Sequence, residues 1–95
     1  MLIDDVKKAL RISSSNTAFD TEVQDLINGA RLDLEQSGVS FVKANDDTDA
    51  LVKRAITTYC KAQFGYDNPD AERFQQSYEM LKQHLSLAGD YNATQ

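Results

Sequence analysis

One proline and four glycines are the only strong helix breakers in 95 residues, and between them apolar side chains recur every three or four positions. Long breaker-free stretches favour helices over an architecture of many turns, and that spacing gives each helix one apolar arc. The chain is therefore read as all-α: a small bundle of four helices, a partly apolar loop between helices two and three, and a short mobile C-terminal tail. Its length suits one domain, residues 1–95, with a thin core and with the tail over 89–95. Apolar residues at 41% and charged residues at 26% are ordinary globular values, so disorder is not expected.

The first helix is predicted over about residues 2–11, with Leu2, Ile3, Val6, Ala9 and Leu10 on one arc and Asp4, Lys7, Lys8 and Arg11 opposite. A polar cluster from Ser13 to Thr17 breaks it, and Thr17 or Asp20 is placed to cap the second helix. That helix carries Phe19, Val23, Leu26, Ile27, Ala30 and Leu34 at helical spacing and should stop at Gly38. Leu32 falls on its opposite face, either as an incidental exposed leucine or as a contact point for a neighbour. Phe41 and Val42 follow in a loop too apolar to hang free, and one of them is expected to tuck against the bundle or a partner.

Helix three, about residues 48–66, is apolar over more than half of its circumference, which predicts cover on two sides and some of that cover from another subunit. Pro69 suits the first position of helix four, with Asn68 as its cap. Phe74, Tyr78, Leu81, Leu85 and Ala88 then form a seam, and Met80 and Leu87 form an adjoining stripe with His84. Gly89 is expected to end it.

Chemistry is sparse. The run Asn45 to Asp49 resembles the start of a calcium loop, but Ala50 stands where the turn glycine belongs and Ile56 where the bidentate glutamate belongs, so it reads as a helix cap. One histidine and one cysteine on different helices do not make a zinc site, and Cys60 sits in an apolar arc where a thiol behaves as a small hydrophobe. No glycine-rich phosphate loop or nucleophile elbow occurs. No catalytic residue, metal or cofactor is assigned. With 10 basic against 15 acidic residues the net charge is -5, which repels phosphate backbones and anionic lipid, and no apolar run is long enough to span a bilayer. Asp4 and Asp5 stand where a signal peptide would be basic and then apolar, so cytoplasmic synthesis is expected. Lys7, Lys8 and Arg11, with Lys53, Arg54 and Lys61, could form small basic patches; these suit intersubunit ion pairs at least as well as DNA.

The order and spacing of several segments resemble one family. These are Val6-Lys7-Lys8-Ala9-Leu10-Arg11-Ile12, then Asp25-Leu26-Ile27 with Ala30-Arg31 and Ser37-Gly38-Val39, then Ala55-Ile56 leading to Tyr59. The later Lys61-Ala62-Gln63-Phe64-Gly65-Tyr66-Asp67-Asn68-Pro69-Asp70 and Leu87-Ala88-Gly89-Asp90-Tyr91 complete it. Over nearly the whole chain the sequence looks like the phage head-tail connector proteins, also known as phage DNA-packaging proteins, of the type found in phages and prophages of Gram-positive bacteria.

The resemblance implies a virion structural protein without catalytic residues. It would form a ring under the portal, join the filled head to the next connector or tail component, and meet DNA only as passing cargo. Assembly in the host cytoplasm and residence at the head-tail interface follow from it. Candidate contact residues are Leu32, Phe41, Val42, Met80, Leu87 and Tyr91. The competing reading is a small helical regulatory or interaction module, antitoxin-like or transcription-associated, which the same helix pattern satisfies; a DNA-binding protein is the third.

Overall fold

The chain turns back on itself after its first helix because the end of that helix is locked locally. In the computed structural model, which describes residues 2–65 and 68–92, α1 spans Leu2–Ala9. The amide of Ile12 donates to the Lys7 carbonyl (2.9 Å) and that of Arg11 to the Lys8 carbonyl (3.0 Å), the paired bonds of a Schellman turn. Arg11 takes the left-handed position, φ 63°, that glycine usually fills. An Arg11→Gly chain should therefore be more stable by about 0.5–1 kcal/mol, read as a rise of a few degrees in Tm.

Lys7 was expected on the solvent face of this helix, but it is buried. The loop after α1 folds over it, so its ammonium donates to the carbonyls of Asn16 (2.8 Å) and Ser14 (3.4 Å) and pairs with Asp20 Oδ1 at 2.7 Å. That pairing also occupies the expected cap: α2, Asp20–Gln36, begins after Phe19 with no side-chain cap, and Asp20 is its first residue. Asn16 instead accepts from the Ala18 amide (3.0 Å) and shapes the loop. Gly38 does end α2 as expected. At φ 110° it allows a second Schellman turn, in which Val39 and Leu34 meet as its buried apolar pair.

The apolar loop contains a one-turn helix, α3, Phe41–Ala44, capped by the Ser40 hydroxyl, which accepts from the Lys43 amide at 3.2 Å. The acidic run caps the next helix, α4, Ala50–Gln63: Asp49 Oδ1 accepts from the amides of Leu51 (3.0 Å) and Val52 (3.1 Å). Helix α5, Ala71–Leu87, starts two residues later than Pro69 suggests. The reason lies in Asn68, which spends its side chain on an Asx turn to the Asp70 amide (3.0 Å) and on the Lys61 carbonyl (2.7 Å). Ala88, with extended backbone, closes α5 in place of Gly89. Tyr66, placed at the end of helix three, and residues 93–95 of the tail lie outside the described residues.

Helix α4 is the axle of the fold. Val52, Ala55, Ile56 and Cys60 are fully buried, and α4 packs against α5, α2 and α1. Three helices of the chain itself cover this buried row, while Leu51 at the start of α4 stays 37% exposed. Across the core Tyr59 and Tyr78 meet edge to face at 5.0 Å, and the Tyr78 hydroxyl donates to Asp33 Oδ2 (2.5 Å), which also takes Lys82 (3.1 Å).

The tail also departs from expectation. The Tyr91 carbonyl accepts from the Ser40 amide (2.8 Å), its hydroxyl donates to Asp49 Oδ2 (2.8 Å), and Lys43 lies 5.1 Å above its ring. Val39 and Asn92 form an isolated antiparallel bridge, and the Asn92 side-chain NH2 donates to the Ser86 carbonyl (2.8 Å). Residues 89–92 are thus fastened to α3 and to the start of α4 where a free segment was expected.

Candidate functional site

Among the described residues no three His, Cys, Asp or Glu side chains gather in a way that could hold a metal ion, and no helix is long and apolar enough to cross a membrane. The Cys60 thiol is fully enclosed, and burial pushes its pKa up to about 12, far from a nucleophile's range. Burial, and then its bond to Asp33, pushes the Tyr78 hydroxyl well above the ordinary tyrosine value. Both groups serve the core.

What stands out is apolar surface. Phe41 is 69% and Val42 74% exposed, side by side on α3, so the bundle takes neither. Met80 at 72% and Leu87 at 76% lie seven residues apart on one face of α5, about 10 Å along the helix. Leu32 at 56% stands alone on the outer face of α2. Tyr91 is different, being half-buried and bonded within the chain. Single exposed apolar residues are unremarkable on a protein surface, but adjacent aromatic and β-branched side chains on a fixed turn are not.

The turn is fixed from three directions. Arg31 donates to the Ala44 carbonyl (3.2 Å) and pairs with Asp47 (2.8 Å), Lys43 pairs with Asp49 (3.6 Å), and Ser40 is bonded to Tyr91. The ends of α2 and α5 converge beside it, with Gly38 next to Ser86, so Leu87 belongs to the same end of the bundle as Phe41 and Val42. The sequence reading also missed two partly exposed apolar residues, Phe19 and Leu51, because their helical phase places them toward the core. Phe19 instead meets the Phe64 ring edge to face at 5.6 Å near the surface.

A second feature lies between α4 and α5. An open groove of about 810 Å³ has Lys53, Arg54 and Lys61 along one wall and Phe74, Met80 and His84 along the other. Lys61 stands 5.4 Å above the Phe74 ring, and Lys53 pairs with Asp5 at 3.0 Å.

These features define a small all-α bundle that presents apolar and charged patches. Residues 2–92 match the family model described as phage connector protein, and the chain belongs to that family. It is a structural family of the phage particle and not an enzyme family, so the chain has a connector role among phage structural proteins. No curated protein and no solved structure matches the chain.

Proposed function

We propose that this connector acts at the head-tail interface: copies form a ring beneath the portal, prolong the DNA channel, and offer a platform to the next connector or tail protein. The observation that carries this reading is the fixed Phe41–Val42 pair on a chain whose residues 2–92 match the connector family. An apolar pair held by Arg31, Lys43 and Tyr91 has lost its conformational freedom before any partner arrives, which lowers the cost of docking. Leu87 at the same end widens the patch. The net charge of -5 supports a conduit that does not retain DNA, since a wall that gathered phosphates would hold the cargo it must release. On this reading the protein is assembled in the host cytoplasm and ends in the virion.

The experiment is reconstitution with the portal protein of the same phage, followed by sizing chromatography and electron microscopy. A ring seated on the portal is expected; absence of any complex over a wide concentration range rejects the proposal. The double substitution Phe41→Ser, Val42→Ser should change stability by less than about 0.5 kcal/mol, because both side chains already face water. It should weaken the portal complex by about tenfold or more if the pair is a central anchor. A variant that melts normally and still binds portal fully removes the pair from the interface.

A further inference from the structure

The groove between α4 and α5 gathers three cations, Lys53, Arg54 and Lys61, in an acidic chain. No carboxylate is among the residues that line it, Arg54 is exposed and forms no ion pair among the described residues, and Phe74, Met80 and Leu81 supply an apolar floor. Its chemistry fits a helix that is acidic with one protruding apolar side chain. The exposed side of α2 offers those parts: Glu22 and Asp25 are exposed and form no ion pair among the described residues, and Leu32 protrudes two turns beyond Asp25.

The two surfaces also look in opposite directions. Helix α2 turns Val23, Ile27, Ala30 and Leu34 inward, so Asp25 and Leu32, half a turn round, point away from the bundle. Helix α4 turns Val52, Ala55, Ile56 and Cys60 inward against α1 and α2, so Arg54 and Lys61 point out on the far side. The bundle is 18 Å through its thinnest direction, about two helix layers, so each surface occupies a separate face. A patch on one face and its complement on the opposite face cannot satisfy each other within one copy; they can between successive copies, and such heterologous contacts make rings when the rotation closes.

We propose that the α4/α5 groove receives the outer face of α2 from a second copy of this chain. Leu32 covers the floor at Met80, while the carboxylates of Glu22 and Asp25 face the cations of α4. This contact rests on the ring reading above and names the two surfaces that would make the ring.

Disulfide trapping of the full-length chain alone tests it. The pair Leu32→Cys, Met80→Cys should give, under mild oxidation, a covalent ladder reaching beyond dimer, because each copy then carries one donor and one acceptor surface. Each single substitution should stay monomeric, and native Cys60 can remain because it is enclosed. Adding Arg54→Glu, Lys61→Glu should cut species larger than dimer by about tenfold, and adding Glu22→Lys, Asp25→Lys as well should restore them.

The proposal is overturned if Met80→Cys alone dimerises as fully as the pair, if no species beyond dimer forms, or if the second charge reversal fails to restore the ladder. Binding of duplex DNA that disappears with Arg54→Glu, Lys61→Glu overturns it in favour of a phosphate site. A chain that joins the portal yet gives no ladder keeps the connector reading and loses this one.

Discussion

A Lys7→Ala chain should melt about 10–20 °C below the parent, a loss of about 2–3 kcal/mol by thermal unfolding followed with circular dichroism. The Lys7 side chain is 4% exposed and its ammonium is the hub on which the loop between α1 and α2 closes. It holds two carbonyls, of Ser14 and Asn16, and the Asp20 carboxylate at the first turn of α2. Removing the lysine leaves an enclosed carboxylate oxygen without its cation, which costs more than the bond itself contributes. Asp20 is 39% exposed, so water recovers part of that loss, and the figure lies below that for a fully buried pair. Lys7→Met separates the contributions: it keeps most of the packed stem and should recover only the packing share, about 1 kcal/mol. If Lys7→Ala melts within a few degrees of the parent, the ammonium does not hold the loop.

That residue also shows where sequence reasoning stops. Gly38 and the capping run Asn45 to Asp49 were legible because their roles are local: a left-handed stop and a cap are decided within five residues of chain, and within that run Asp49 makes the cap. Lys7 was not, since its helical phase is polar and only the return of residues 14–20 over it makes it a buried donor. The apolar excess of α4 was legible, but how much of it the other helices would cover was not. Periodicity measures the width of an arc and says nothing of the number of neighbours around it.

The exposed residues fared better than the enclosed ones for a related reason. Leu32 was singled out because it breaks the phase of α2, and Met80 and Leu87 because they form a stripe beside the core seam of α5; all three lie exposed. The groove cations Lys53, Arg54 and Lys61 were legible as basic residues, but their gathering over Phe74 and Met80 required the α4–α5 pairing. Tyr91 lies 42 residues from Asp49, and no local pattern announces a bond over that distance.

Asp49 joins both kinds of contact, and its substitution carries the second large effect. Asp49→Ala should cost about 2–3 kcal/mol, since a lost N-cap accounts for about 1–2 and the bonds to Tyr91 and Lys43 add to it. The effect should be concentrated at one end of the molecule. The Ser40 amide, bonded to the Tyr91 carbonyl at 2.8 Å, should exchange its hydrogen much faster in the variant, while core amides of α4 slow or quicken only with global stability. Tyr91→Phe in the Asp49→Ala background should then add little, because the bond it removes is already gone.

The same carboxylate makes this anchor pH-dependent. Burial works to raise its pKa, but bonds from the Val52 amide, the Tyr91 hydroxyl and the Leu51 amide, with Lys43 nearby, outweigh burial and hold it below the ordinary aspartate value. A carboxyl depressed in the folded state stabilises the fold fully above its unfolded value, near pH 4, and that contribution fades as pH falls through the lower folded value. Asp5 and Asp46 are depressed in the same direction, so the parent alone cannot isolate one group. Asp49→Asn can: its one side-chain oxygen keeps the cap while its NH2 takes the place of the oxygen that faces Tyr91 and Lys43, and it has no proton to gain. Its stability gap to the parent should be widest at neutral pH and close below about pH 4. A gap that stays constant down to pH 2 assigns the contribution of Asp49 to its shape, and the charge would then play no part in holding the tail and the Phe41–Val42 turn in place.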